Sequence, residues 1–372
     1  MEEKIKKRTR RRTRGVSKNI VVVMGGSFNP PTAAHYALMR AALDEIGARK
    51  GVFVPSSHEY VSKKMAKSDF KDAVIPEELR FRMLSAMAKK DSRMSVDDLE
   101  YHREEKAYTF ETLLDISRKH PEDEIYFLAG GDKVDIFPRW HRIGEFLERF
   151  KIITVKREGD DPASEIARDE FLSAYRDRFY IMEAPEGLDG ISSSAVRAAM
   201  RDGRTEDARA TCRPEVFKLL CQNTDPHSGV ICGFFDEYRF LSNFWEAPVE
   251  YGGITYLNNE AAFQAQKCVT NKEKLVFADL APKSAKALGR RVQLREDWEE
   301  VKFGIMEDIV RAKFTQNPHL AELLLATGEK PLLEGNTWND TCWGVSLTSY
   351  KGKNHLGQIL IKVRSELRES TV

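Results

Sequence analysis

Between Asn19 and about Met182, short unbroken apolar runs alternate with amphipathic stretches. The runs are Ile20–Met24, Val52–Val54, Ile125–Ala129, Ile152–Val155 and Phe179–Met182, with a weaker one near Met94–Leu99. A strand that is apolar on both sides must be covered on both sides, which predicts parallel pairing within a layered domain. The segments between the runs carry helical spacing. Tyr36, Leu38, Met39, Leu43 and Ile46 form one apolar face, and Leu79, Met83, Leu84 and Met87 form another. Pro76 followed by Glu77 and Glu78 suits a helix start. The alternation predicts an α/β domain with a doubly wound parallel sheet. Two further helices are expected around Ser193–Arg201 and Pro214–Cys221.

The texture changes after Asn223-Thr-Asp-Pro-His-Ser-Gly229, a polar stretch with a proline and a glycine that reads as a linker over 223–228. Aromatic residues then crowd the chain from Phe234 to Phe263, and four of the five tryptophans follow, namely Trp245, Trp298, Trp338 and Trp343. Ile305, Met306, Ile309, Val310 and Phe314 repeat at helical spacing. The expected organisation is a basic tail over 1–18, the α/β domain over 19–222, and a compact, mainly helical α+β domain over 229–372. A chain of 372 residues suits two domains.

Composition narrows the class. No apolar run approaches the roughly 18 residues of a membrane helix, and the first residues lack the apolar stretch of a secretory signal. The five cysteines are scattered without a CxxC pair, which points to a reducing, cytoplasmic setting and away from a zinc site. Net charge is +1. Only Lys4 to Arg14 is strongly basic. That block reads as a solvated tail, and its composition is also that of a weak nucleic-acid contact. Homo-oligomerisation is left open.

Chemistry concentrates in three segments of the first domain. Met24-Gly-Gly-Ser-Phe-Asn-Pro-Pro-Thr-Ala-Ala-His35 follows the first strand and opens the first helix. Gly25 and Gly26 let backbone approach a phosphate, the helix start offers N–H groups, and His35 lies one turn in. Phe127-Leu-Ala-Gly-Gly-Asp132 ends a strand, where open α/β sheets bind ligands. Ile191-Ser-Ser-Ser-Ala-Val-Arg197 combines helix-capping serines with an arginine that can fork two phosphate oxygens. The expectation is that His35 and Arg197 converge on one triphosphate.

The motifs GGSFNPPTAAH, LEYHREEKAYTFETL, LAGGD, RWHRI and ISSSAVR, in this order over residues 19–222, resemble the nicotinamide/nicotinate mononucleotide adenylyltransferases of the HxGH-type nucleotidyltransferase superfamily. Thr32 stands where many members have histidine, Ala34 where a glycine is usual, and Ser194 where threonine is commoner. The resemblance implies that Gly26, Ser27, Phe28, Thr32, His35, Ser192, Ser193 and Arg197 surround ATP, with Gly131 and Asp132 near its ribose. It implies that Tyr108, Thr109 and Trp140 contact the pyridine mononucleotide, Trp140 by stacking, and that Lys63 or Lys64 reaches its phosphate. Magnesium would arrive on the ATP phosphates, with no protein metal site. Transfer to another phosphorylated acceptor is the rival chemistry.

In the second domain, Glu260, Gln264 and Lys267 fall at i, i+4 and i+7 within Asn258-Asn-Glu-Ala-Ala-Phe-Gln-Ala-Gln-Lys267. Spacing alone favours a solvated helix face, whereas the aromatic flanks suit a walled pocket. Trp338-Asn-Asp-Thr-Cys-Trp-Gly344 reads as a packed turn or as a stacking site with a carboxylate. FLSNFWEAPVEYGG, NNEAAFQAQK, SAKALGR, WEEVKFGIM, RAKF, DTCWG and GKNHLGQIL together resemble the NADAR family, with Ala261 where histidine is common. That resemblance implies a pocket lined by Asn243, Glu260, Gln264, Lys267, Asp340 and Trp343. It also implies an ADP-ribosyl ligand, and either N-glycosidase activity on ADP-ribosylated guanine or a riboflavin-synthesis intermediate, or nucleotide sensing without cleavage. A carboxylate route through Glu260 or Asp340 and a Schiff-base route through Lys267 both stay open.

Overall fold

The computed structural model describes residues 19–71, 73–103, 108–157 and 159–371. The basic tail and part of the LEYHREEKAYTFETL motif lie outside the described residues. The chain divides into two compact units, one of residues up to Lys63 with Arg80–Ile191, the other of Lys64–Leu79 with Ser192–Val372.

The first unit is built on β1 (Ile20–Gly26), β2 (Lys50–Pro55), β3 (Met94–Val96), β4 (Glu124–Gly130), β5 (Lys151–Lys156) and β6 (Phe179–Glu183). These pair in parallel in the order β3-β2-β1-β4-β5-β6, the doubly wound sheet that the apolar runs predict. Val21, Val22 and Val23 are wholly buried, as a central strand covered on both faces must be. Helices α1 (Ala33–Ile46), α2 (His58–Met65), α3 (Glu77–Ala88), α4 (Thr109–Lys119), α5 (Ile143–Arg149), α6 (Pro162–Arg168) and α7 (Glu170–Ala174) connect the strands. One core gathers Phe110, Leu113 and Ile116 of α4 with Phe146 and Leu147 of α5 against the sheet. Truncating a side chain such as Phe146 to alanine there would cost about 3–5 kcal/mol. The third strand is shorter than Met94–Leu99. It stops at Val96 because the Asp97 carboxylate takes the Leu99 N–H at 3.1 Å, turning the chain.

From Ser192 onward the second unit contains α8 (Ser193–Arg201), α9 (Thr205–Thr211) and α10 (Pro214–Cys221). The expected linker is a hydrogen-bonded turn inside this unit. Asp225 Oδ1 accepts the N–H groups of His227 (2.9 Å) and Ser228 (2.8 Å), and the buried Asn223 donates to the Ser228 carbonyl at 2.9 Å. Helices α8–α10 are held to the rest of the unit by Thr205 donating to the Gly352 carbonyl (2.6 Å) and Asn354 donating to the Gly203 carbonyl (3.1 Å). Short strands β7 (Ile231–Cys232), β8 (Glu246–Tyr251), β9 (Ile254–Asn258), β10 (Leu332–Leu333), β11 (Gly335–Asn336) and β12 (Val345–Ser346) form two-stranded ladders. They surround α11 (Asn259–Ala265), α12 (Asn271–Leu275), α13 (Pro282–Gly289), α14 (Trp298–Gln316), α15 (Pro318–Ala326) and α16 (His355–Thr371). The predicted stripe Ile305, Met306, Ile309, Val310 and Phe314 is buried on α14, against Leu356, Leu360 and Val363 of α16. The result is the mainly helical α+β domain expected. Among the described residues no helix is long and apolar enough to cross a membrane.

Candidate functional sites

Strand order reverses at β1, whose neighbours β2 and β4 lead to opposite edges of the sheet. Carboxyl ends of strands at such a reversal form the binding crevice of open α/β sheets. Gly25 and Gly26 end β1, Ser27 and Phe28 lead into the connection to α1, Thr32 is the residue before that helix, and His35 lies in its first turn. Phe28 takes a positive φ of 43°, and its buried ring meets the His35 ring edge-on at 4.9 Å. Thr32 caps α1. Its N–H donates to His35 Nδ1 at 2.9 Å, and its hydroxyl lies 2.7 Å from the same nitrogen. A main-chain N–H can only donate, so Nδ1 is the acceptor and Nε2 carries the ring proton. Thr32 thus selects the tautomer in which His35 offers a donor on its far side.

At the end of β4, Gly131 opens a 3-10 turn over Gly131–Arg139. A Cβ there would lie 2.7 Å from the Val155 carbonyl, so the close approach of β4 to β5 requires glycine. Asp132 follows and is exposed. Beside it, at the ends of β5 and β6, a cavity of about 450 Å³ is lined by Lys156, Arg157, Asp160 and Glu183 among others. Tyr108 and Thr109 stand at the start of α4, where Tyr108 stacks on His141 with ring centroids 4.2 Å apart. Trp140 is half-buried, packed edge-on against Phe137 at 4.8 Å and Phe127 at 5.8 Å.

Ser192, Ser193 and Arg197 belong to the second compact unit, as does the exposed Lys64 of α2. Ser192 caps α8 by accepting the Ala195 N–H at 3.1 Å. Arg197 donates to Ser194 Oγ at 2.9 Å, and its guanidinium lies over the Phe70 ring at 5.0 Å. Burial lowers its pKa. The capping that the motif predicts is present, and Arg197 lies one turn on in α8.

The second constellation surrounds α11. All seven residues of this helix are buried, so the solvated-face expectation is overturned: the aromatic and alanine neighbours close over it. Gln264 donates to Glu260 Oε1 at 2.9 Å. Burial raises the Glu260 pKa, opposed by Lys286, Gln264, Lys267 and Arg290. The helix ends at Ala265, so Lys267 is not on its face by periodicity. It sits in the following turn and donates to the Gly289 carbonyl at 3.1 Å, with its pKa lowered chiefly by desolvation. Asn243 is buried, accepts from Asn259 at 3.3 Å through its side chain, and accepts the Glu260 N–H at 3.1 Å through its carbonyl. Asp340 Oδ1 accepts the N–H groups of Cys342 (2.9 Å) and Trp343 (3.0 Å), which is the packed-turn geometry. Trp343 packs on Phe263 and Phe303, whereas Trp338 is 59% exposed. Among the described residues, no group of three or more His, Cys, Asp or Glu is placed to hold a metal ion.

A "Probable nicotinate-nucleotide adenylyltransferase" of Carboxydothermus hydrogenoformans is 33% identical over 181 residues, 48% of this chain and 85% of that protein. One of Lachnoclostridium phytofermentans is 30% identical over 50% of this chain and 88% of its own length. The chain belongs to the nicotinate-nucleotide adenylyltransferase family. A family model described as cytidylyltransferase-like matches residues 23–199, and one described as NADAR domain matches 230–368. The E. coli protein YbiA, solved by NMR, is 36% identical and covers 38% of this chain and 87% of its own, with a TM-score of 0.35. The Plasmodium falciparum nicotinic acid mononucleotide adenylyltransferase complexed with APC is 19% identical over 55% of this chain and 96% of its own, with a TM-score of 0.44.

Against this adenylyltransferase and NADAR frame, four buried or half-buried charges were missed by the sequence reading. Arg80 of α3 is fully buried and donates to the carbonyls of Ser27 (3.0 Å) and Ser56 (2.8 Å). Lys313 is buried within the NADAR domain, donating to the carbonyls of Phe240 (2.6 Å) and Ser242 (2.9 Å), and desolvation brings its pKa down to about 7. Glu334 is pushed up to about 7 by burial and by Asp340, with Asn336 and Lys286 opposing. Lys286 acts electrostatically on both Glu260 and Glu334, which ties the two carboxylates into one cluster. Lys286 and Lys313 lay within the SAKALGR and RAKF motifs; Arg80 and Glu334 had no local signal beyond a charge among apolar neighbours.

Proposed function

We propose that this chain is a two-domain enzyme of pyridine-dinucleotide metabolism. Residues 19–222 transfer the adenylyl group of ATP to nicotinate or nicotinamide mononucleotide. A phosphate oxygen of the mononucleotide attacks the α-phosphorus of ATP. The bridging bond to the β-phosphate breaks, and pyrophosphate leaves with the electron pair. The nucleophile is already an anion, so no general base is required, and catalysis reduces to positioning and charge neutralisation. His35 would donate from Nε2 to a phosphate oxygen. The amino end of α1 would hold a neighbouring oxygen, and Ser192, Ser193 and Arg197 are the further ATP contacts that the resemblance of the ISSSAVR motif implies. Gly131 and Asp132 would meet the ribose, Tyr108, Thr109 and Trp140 the pyridine nucleotide, and Lys64 its phosphate. Magnesium, carried in on the ATP phosphates, would supply further charge neutralisation.

The observation that carries this reading is the Thr32–His35 pair at the strand-order reversal, which presets a histidine donor beside a glycine turn. The relatives' names favour nicotinate over nicotinamide mononucleotide. An assay of the full chain with ATP or CTP and each mononucleotide tests it. Dinucleotide and pyrophosphate from ATP are expected. Their absence with both mononucleotides, or a preference for CTP, rejects the assignment.

For residues 229–372 we infer hydrolysis of an N-glycosidic bond in ADP-ribosylated guanine or a related ribosyl compound. A buried carboxylate beside lysines, Glu260 with Lys286 and Lys267, is suited to an oxocarbenium-like transition state. The engagement of Asp340 Oδ1 by two main-chain N–H groups favours a second reading, a domain that binds such a ligand without cleaving it. Incubating the full chain with an ADP-ribosylated guanine nucleotide separates them: released base supports hydrolysis, and saturable binding without release supports sensing.

A further inference from the structure

The loops that leave β1 and β2 are bonded to each other at their first residues. The Ser56 N–H donates to the Gly26 carbonyl at 2.9 Å, continuing the strand register in which Gly26 faces Pro55. One residue further on, Arg80 takes over. Its Nη1 donates to both the Ser27 and the Ser56 carbonyls, its guanidinium lies 5.4 Å over the Tyr101 ring, and its side chain is 0% exposed. The residue after Ser27 is Phe28, which holds a left-handed backbone that a bulky side chain adopts only when its surroundings impose it. Fixing the Ser27 carbonyl fixes the peptide plane that sets this φ. The Phe28 ring then packs edge-on against His35 on one side and against Phe53 at 5.8 Å on the other. Thr32 anchors the His35 ring at Nδ1, and Phe28 supplies the wall on which it rests.

We propose that Arg80 is a positioning residue for adenylyl transfer, holding the Ser27–Phe28 turn so that the His35 ring is fixed with its Nε2 donor aimed at the ATP phosphates. The inference rests on the adenylyl-transfer reading above. Arginine suits the task because a planar, permanently charged fork can bind two carbonyls from one buried spot, whereas a lysine ammonium is a flexible point donor.

A double-mutant cycle on the full chain tests it, with kcat and KM measured for ATP. Arg80→Met is expected to lower kcat by about 10- to 100-fold, the scale of a small misplacement of a catalytic group, while KM moves less than about threefold. Arg80→Lys is expected to recover part of the loss. In the His35→Ala background, Arg80→Met is expected to change kcat by less than about threefold, because the group it positions is gone. An equal loss in both backgrounds, or a loss confined to KM, overturns the proposal. If Arg80→Met does not fold, the Arg80→Lys cycle gives the same comparison. A wild-type chain that makes no dinucleotide removes the proposed function and this inference with it; a working enzyme with additive effects removes the inference alone.

Discussion

At the carboxyl end of the central strand β1 the polar groups are tied to main-chain partners, whereas around α11 they are taken out of water together. Thr32 holds His35 in one tautomer, and the Arg80 guanidinium is held by the Ser27 and Ser56 carbonyls. The α11 cluster instead assembles Glu260, Lys267 and Glu334 around Lys286, three groups whose charge depends on their surroundings. Burial drives both carboxylates up and Lys267 down, so each is brought nearer to neutral pH. The contrast matches the two proposed chemistries. Phosphoryl-type transfer needs fixed charge and geometry, and cleavage of a glycosidic bond needs a proton that can move.

The largest expected effect is on the second site. Glu260→Gln keeps the size of the side chain and removes its acid–base capacity. Base release should fall by about 10²–10⁴-fold, with dinucleotide synthesis unaffected. Release by the variant at the wild-type rate would show that Glu260 only fills space. Next, His35→Ala should lower adenylyl transfer by on the order of 100-fold while its circular dichroism stays that of the wild type. Near-normal turnover would remove His35 from the mechanism.

The comparison sharpens with pH. Glu334 has a folded-state pKa of about 7, raised from 4.5, so the folded chain binds the extra proton between those values. Its contribution to stability is fully present below about pH 4.5 and is lost as pH rises through about 7. Lys313 runs the other way. Its pKa is lowered from 10.5 to about 7, so the unfolded chain binds more protons in that window and stability rises from about pH 7 towards 10.5. Denaturant unfolding of the full chain across pH 5–10 should show Glu334→Gln flattening the lower part of the NADAR transition and Lys313→Met the upper part. Variants with the wild-type pH dependence would contradict both placements. The smallest effect is steric: Gly131→Ala sets a Cβ 2.7 Å from the Val155 carbonyl and should destabilise by about 1–3 kcal/mol. An unchanged midpoint would mean the backbone yields without cost.

Much of the first unit was legible because its strands are continuous apolar runs bounded by glycine or charge, a local property. The helix faces of α1 and α14 were legible for the same reason. Helix α9, Thr-Glu-Asp-Ala-Arg-Ala-Thr, had no apolar stripe to read, and only its bonds to Gly352 explain its place. The solvated-face expectation for Glu260 and Gln264 failed because periodicity says which residues share a side, not what covers that side. Arg80 and Lys313 were illegible because a charge is read as exposed unless its partners are known. Those partners lie 53 residues away at Ser27 and 73 residues away at Phe240.

Sequence by itself determined the alternation that builds a parallel sheet, the glycine turn that opens α1, and the aromatic composition of the second domain, since each is a property of adjacent residues. Tertiary structure decided which charges leave water and where α8–α10 pack. Each of those depends on donors and acceptors brought together from distant segments, and desolvation acts only once the chain has closed around them.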